Sequence, residues 1–174
     1  MSLVLQSSGG GQITINEPTT ASNFTQTLPA ATGTVMVSGN MPAFSATLSA
    51  DQVITNATYT KVLFDTETFD TNNNFASSRF TPTVAGYYQL TINIQFTYAT
   101  ITREIIPLYK NGALFQFGYD SGSFPLNTTT VTFLVYANGT TDYFEGYVYM
   151  AGTTLGVISG TTGSSFSGCL LRTA

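Results

Sequence analysis

The stretch from Tyr88 to Tyr98 alternates apolar and polar side chains over eleven residues without a break. Successive side chains of an extended chain point to opposite faces, so a period of two places every apolar residue on one face. The stretch therefore predicts a β-strand with one buried and one solvated face. Such a strand needs partners for its backbone and a second layer to cover its apolar face.

Other parts of the chain have the branched and aromatic composition that suits a pleated, half-buried surface. Turn signals such as Asn111-Gly112 and Asn138-Gly139 separate them. No segment has the apolar spacing of an amphipathic helix. We therefore predict an all-β sandwich or barrel with further strands at 59–65, 103–110, 113–118, 129–137, 142–150 and 164–171.

Charge and sulfur content narrow the classes of partner. Only 8% of the residues are charged and the net charge is −4, so no basic patch is expected for nucleic acid or an anionic membrane. No apolar run approaches the length of a membrane span, and the opening residues lack the features of a signal peptide. Cys169 is the single cysteine. Its place in a predicted strand indicates a buried, unreactive thiol.

Catalytic and metal-binding patterns are weak. The chain contains no histidine, which removes His-based nucleophilic and metal-ligand arrangements. Asp65, Glu67 and Asp70 form one acidic group and Asp142 and Glu145 another. Either group is compatible with paired-carboxylate chemistry or Ca²⁺, but a solvated strand end is the simpler interpretation. We expect no enzyme, no catalytic residue, no metal ligand and no cofactor, with Ca²⁺ near the first group left open.

Residues 1–40 have too few apolar side chains to bury a core of their own. Residues 12–16 alternate like a short strand, and 25–29 and 33–37 are further extended pieces. Because the alternation is regular, an arm that packs on another chain is favoured over a flexible leader. We predict a docking arm at 1–40 and a head at 41–174. The apolar docking side chains of the arm are Ile13, Ile15, Leu28 and Val35.

Four motifs follow one another along the predicted head: Pro42-Ala43-Phe44-Ser45-Ala46, Ala85-Gly86-Tyr87-Tyr88, Leu108-Tyr109-Lys110-Asn111-Gly112 and Ser165 to Leu171. In this order, residues 42–172 resemble the C1q/TNF-like jelly-roll domains, and C1q domains most closely. The resemblance implies a ten-stranded jelly-roll sandwich that assembles as a homotrimer. Asn138-Gly139-Thr140 departs from the family pattern, so no calcium site carries over.

The resemblance also implies which residues line a threefold axis. Its axis positions correspond to Thr91, Thr129 and Phe166, two of which are polar, so a partly polar axis is implied. The alternative is that Thr91 and Asn93 simply face water.

The leader carries a second resemblance, through the patterns G-x-I-T-I, P-x-T-A-S-N, T-L-P and G-T-V within residues 8–37. This segment is similar to one that recurs in virion proteins of tailed bacteriophages, especially cyanophages. The resemblance implies a place on the virion surface and fits capsid and tail equally. We expect the capsid rather than the tail, because the 174 residues start with their own Met and have no long shaft, whereas a fibre usually needs a long stalk before its head.

Two functions remain open. The first is a capsid-decorating cement protein whose arm docks on the major capsid protein or another virion protein. The second is the receptor-binding head of a tail fibre or tailspike, which would bind host-surface glycans through loops such as 72–78 and 119–127. Tyr143, Tyr147 and Tyr149 share one face of a predicted strand, where packing is favoured over sugar stacking. A secreted C1q-like protein and a hydrolase are disfavoured.

Overall fold

The computed structural model describes residues 3–16, 19–23, 25, 27, 30, 35–97, 100–122 and 127–174. These residues form β-strands and one 3-10 turn, Ser38–Asn40, with no α-helix among them. The chain divides into two compact units, Met1–Gly33 and Thr34–Ala174. The boundary therefore lies before the predicted one at 40/41, and Val35 belongs with the second unit.

The first unit contains a β-hairpin. Strand β1, Leu3–Gln6, pairs antiparallel with β2, Gln12–Ile15, and the Ser7–Gly11 turn joins them. The predicted strand at 12–16 is confirmed, whereas its partner β1 was not predicted. Leu28 and half of the residues in the predicted extended pieces at 25–29 and 33–37 lie outside the described residues.

The second unit is a sandwich of two antiparallel sheets. Its strands, in chain order, are β3 (Ala43–Thr47), β4 (Gln52–Val53), β5 (Thr60–Lys61), β6 (Thr66–Asp70), β7 (Phe75–Ala76), β8 (Arg79–Phe80), β9 (Gly86–Gln95), β10 (Thr100–Lys110), β11 (Ala113–Ser121), β12 (Thr128–Ala137), β13 (Phe144–Thr153), β14 (Gly156–Val157) and β15 (Ser165–Thr173). One sheet has the order β12-β9-β15-β3-β6, and the other has the order β11-β10-β13-β8-β7, with β5 also on β13.

The core lies between the two sheets and is rich in phenylalanine. The Phe44 ring stacks on Phe80, with 4.3 Å between centroids, and meets Phe166 edge to face at 5.0 Å. Burying one such side chain stabilises the fold by about 2–3 kcal/mol. The strand predicted from Tyr88 is confirmed as β9, with Tyr88, Leu90, Ile92 and Ile94 fully buried.

Two local predictions were wrong. The predicted strand at 59–65 is reduced to Thr60–Lys61, and the side chains of Val62 and Phe64 that follow it are buried. Cys169 lies in β15 as predicted, but its thiol is exposed. Its cross-strand partners Gln89 and Ala43 share its outward face, whereas its neighbour Leu170 is buried.

Candidate functional site

The three residues proposed for a trimer axis do not share a face. Thr91 points outward from the five-stranded sheet, whereas Phe166 is fully buried in the core. Thr129 is also buried, and its hydroxyl lies 3.4 Å from the carboxylate of Glu104. Thr129 and Phe166 are therefore wrong as surface axis residues. In β12 and β15, apolar residues an even number of positions away face the core, so the alternation of side chains along each strand turns Thr129 and Phe166 inward as well.

The face around Thr91 is uncharged. The Thr91 hydroxyl lies 3.1 Å from that of Thr132, and Thr130 donates to Asn93 at 2.8 Å. These four polar side chains thus have partners across the ladder, which lowers the cost of covering them. We call this surface the uncharged sheet face. It consists of Ser45, Gln89, Thr91, Asn93, Thr130, Thr132, Leu134, Ser167 and Cys169.

Apolar groups border the uncharged sheet face. Leu134 is 70% exposed, and Tyr87 and Tyr136 are in ring contact at 5.5 Å beside it. On the other sheet, the edge strand β11 exposes Phe115 and Phe117. An unpaired edge with exposed aromatic side chains is a site for association with another chain.

The hairpin carries a second apolar surface. Leu3 pairs with Ile15 and Leu5 with Ile13, so these four side chains lie on one face, which we call the hairpin apolar face. They are 51–67% exposed. Val4, whose partner is Thr14, lies on the opposite face. An isolated two-stranded hairpin is marginally stable in water, so the hairpin is suited to pairing with a further chain.

The outward face of the other sheet is rich in tyrosine. The Tyr109 and Tyr147 rings stack with centroids 3.8 Å apart, and Tyr59 reaches over to lie 5.1 Å from Tyr149. Burial raises the pKa of Tyr109 and of Tyr147. Core or subunit packing was the favoured interpretation for the tyrosines of this strand. Tyr147 and Tyr149 point outward and are half-buried, so they do not pack in the core, whereas Phe144 does.

Ion pairs flank these tyrosines. The buried Glu145 accepts from Lys61 Nζ at 2.8 Å and from Arg79 Nε at 3.0 Å. At the other end, Arg103 donates to both carboxylate oxygens of Asp120 at 2.8 and 3.0 Å, and this pair lowers the pKa of Asp120. We call this surface the tyrosine face. It consists of Tyr59, Lys61, Arg79, Arg103, Tyr109, Phe117, Asp120, Tyr143, Glu145, Tyr147 and Tyr149.

The first acidic group has structural partners. Asp65 accepts hydrogen bonds from the backbone and hydroxyl of Ser49, which lower its pKa. Asp70 accepts from the backbone N–H of Phe75 at 2.7 Å. Glu67 is exposed. Among the described residues no group of three acidic or sulfur ligands is placed to hold a metal ion.

The second acidic group is divided between two places. Asp142 Oδ2 lies 2.8 Å from Lys110 Nζ and accepts from Asn138 N at 3.0 Å, while Oδ1 accepts from Asn111 Nδ2 at 2.9 Å. Burial raises the pKa of Asp142, but these contacts outweigh it and hold the pKa below its usual value. Asp142 therefore ties the β10–β11 hairpin turn to the β12–β13 connection, and Glu145 belongs to the tyrosine face.

The loops suggested for glycan binding are less available than expected. Phe75 is buried, and Asn74 is buried and bonds Thr83 through its side chain, so much of 72–78 is engaged internally. In the stretch 119–127, residues up to Ser121 continue β11, and 123–126 lie outside the described residues. The aromatic groups that face solvent are instead on the sheet.

A groove of about 390 Å³ lies at one end of the sandwich, beside β4 and β14. Its polar side chains are engaged: Asp51 accepts from Ser159 N at 2.8 Å and Asn56 from Gly152 N at 3.1 Å. In the part of the chain that the structure describes, no helix is long and apolar enough to cross a membrane.

No protein-family model matches the chain, and no curated protein matches it. Solved structures do match the sandwich. Murine APRIL aligns with a TM-score of 0.55 and 9% identity, over 75% of this chain and 99% of APRIL. The PRD1 vertex protein P5 aligns at 0.56 and 13%, over 75% and 97%. Eiger TNF from S. frugiperda aligns at 0.53 and 9%, over 77% and 93%. The chain therefore has the jelly-roll sandwich fold of these structures.

Proposed function

We propose that the protein is a homotrimeric structural protein of a tailed-phage virion surface, a cement protein whose N-terminal hairpin docks on the shell. Its role is binding rather than catalysis. The observation that carries the proposal is the hairpin apolar face, which belongs to a unit separate from the jelly-roll head. Its partner is the major capsid protein or another virion protein.

The hairpin suits a docking function because of its composition. No residue between Leu3 and Asn16 is charged, so docking depends on apolar contact and backbone pairing rather than on ion pairs. Both strands have an outer edge that a partner strand can extend. We expect attachment to depend little on salt.

The area of one hairpin is too small for stable attachment. Its four apolar side chains expose about 400 Å², roughly half of what one partner contributes to a standard interface. The entropic cost of association offsets most of this contribution. Three arms on one head bind together, because the first contact raises the effective concentration of the other two.

The head provides the trimer through the uncharged sheet face. Covering charged groups in an interface costs several kcal/mol per unpaired ion, and this face has none among its members. Its Thr91, Thr130, Thr132 and Asn93 side chains are hydrogen-bonded across strands, so a partly polar axis is compatible with association. The same fold in the PRD1 vertex protein P5 supports a virion role.

The experiment separates the two faces of the hairpin. The variant Ile13→Ser/Ile15→Ser removes half of the hairpin apolar face, and Val4→Ser is the matched control on the opposite face. Capsids that lack the protein are incubated with each form, and bound copies are counted. We expect the double variant to lose attachment and Val4→Ser to keep it. Equal attachment of both variants would refute docking by this face.

The second candidate is a receptor-binding head of a tail fibre or tailspike, and the tyrosine face is the observation that favours it. Copy number in purified virions discriminates the two. Hundreds of copies indicate the shell, and a few tens or fewer indicate the tail.

A further inference from the structure

We propose that the tyrosine face is a binding site for an acidic polysaccharide, which it holds through a uronate pyranose. This inference goes beyond attachment to shell or tail. It takes from the proposed function only that subunits cover the opposite sheet, which leaves the tyrosine face on the outside.

The aromatic rings form a continuous and mutually supported surface. The Tyr59 ring lies beside three others, with centroid distances of 6.4 Å to Tyr109, 6.5 Å to Phe117 and 5.1 Å to Tyr149. Tyr109 in turn stacks on Tyr147. Rings that pack on one another lose little freedom when a ligand arrives. The axial C–H bonds of a pyranose present an apolar patch that fits the electron-rich face of such rings, and the phenol hydroxyls remain to bond sugar hydroxyls.

The charges on this face favour an anion. Lys61 and Arg79 share the single carboxylate of Glu145, so this end carries one excess positive charge on a chain whose net charge is −4. Three of the five cationic residues, Lys61, Arg79 and Arg103, lie here, and all five are among the described residues. An anionic ligand compensates the excess and a neutral sugar does not.

Arg79 is placed to contact the carboxylate of the sugar. Its guanidinium lies 3.8 Å from the Tyr143 ring centroid, and its side chain is 42% exposed. Stacking on the Tyr143 ring holds the guanidinium group in place, and a guanidinium has five N–H donors. Glu145 accepts from its Nε, and its Nη2 lies 3.0 Å from the same carboxylate oxygen, so N–H donors remain for a carboxylate oxygen of the sugar.

A polysaccharide fits this surface better than a protein segment does. The tyrosine face is the outer side of a sheet, with aromatic rings laid along it and ion pairs at both ends. Protein interfaces concentrate their binding energy in side chains that fill pockets. A polymer of pyranose rings instead makes many shallow contacts with an open surface, and these contacts add up along its length.

The test is calorimetric titration of the full-length protein with trigalacturonate, its methyl ester and a hexaglutamate peptide. Short ligands report the affinity of one site, so avidity does not enter. We expect trigalacturonate to bind with a Kd of about 1 mM or tighter, and the uncharged methyl ester to bind at least tenfold more weakly. Light scattering of the same samples reports the trimer, so failure of the site is separable from failure of the proposed assembly.

Two variants and a control complete the design. Tyr59→Ala removes the ring that connects the other aromatic rings of the tyrosine face, and we expect it to weaken the binding of both sugars tenfold or more. Arg79→Gln leaves Lys61 and Glu145 as a balanced pair, and we expect it to weaken trigalacturonate alone. Tyr87→Ala removes an exposed tyrosine of the opposite sheet and should change neither. No saturable binding of trigalacturonate, equal binding of the hexaglutamate peptide, or insensitivity to Tyr59→Ala would overturn the inference.

Discussion

Leu134 offers a direct test of the uncharged sheet face as the trimer contact. The side chain points outward from β12, opposite Gln89, and is 70% exposed. Its exposed apolar area is about 100 Å², and covering it in an interface contributes roughly 2.5 kcal/mol per protomer. Replacement by serine removes most of this contribution at each of three positions. The trimer loses about 6 kcal/mol, which raises its dissociation constant about 10⁴-fold.

The assay is sedimentation velocity over a wide range of protein concentration. Leu63→Ser is the matched control, because Leu63 is also an exposed leucine but lies in the segment between β5 and β6, away from the uncharged sheet face. Leu134→Ser should dissociate at concentrations where the parent and the control remain trimeric. Far-UV circular dichroism checks that the protomer stays folded. Identical dissociation of the two variants would refute the assignment of this face.

Three further changes have defined outcomes. Asp142→Asn should destabilise the head by about 2–4 kcal/mol at neutral pH, because Lys110 loses its buried partner. The pKa of Asp142 is lowered in the folded protein, so its contribution to stability is present above about pH 4 and is lost as the pH falls further. The stability difference between variant and parent, measured by urea unfolding, should therefore narrow in acid. Gly168→Ala should cost about 1–3 kcal/mol, because an added Cβ would lie 2.5 Å from Leu90 Cδ2; thermal unfolding measures it. The Cys169 thiol should react slowly with a maleimide in the trimer and rapidly in the dissociated protomer, as mass spectrometry reports.

Each of these has its control. Asp120→Asn removes an exposed ion pair with Arg103 and should cost less than about 1 kcal/mol. Gly122→Ala should be close to neutral, because no atom of the described residues lies within 4 Å of its added Cβ. Equal costs for Asp142→Asn and Asp120→Asn would contradict the role of Asp142 in joining two turns. Maleimide labelling of Cys169 at the same rate in trimer and protomer would contradict burial of the uncharged sheet face.

Periodicity alone was sufficient for the fold class and for the inward or outward direction of most side chains within a strand. The same parity applied to β12 and β15 would have turned Thr129 and Phe166 inward, since each shares its face with buried apolar residues such as Val131 and Leu170. The resemblance to a family overrode this local signal and led to the wrong assignment. The short polar strand β6 left no signal, because TETFD resembles a loop.

The sequence by itself determined that this is an all-β chain with alternating faces, because side-chain alternation is a local property of an extended backbone. Only the tertiary structure decided which outward faces come together. Glu145 meets Lys61, 84 residues away, and Tyr59 enters the tyrosine face from a loop. Strand order and register are non-local, since they depend on how the two sheets close over a shared core. Alternation fixes which side chains of a strand face inward or outward, and the packing of the strands then determines which outward residues form a common surface.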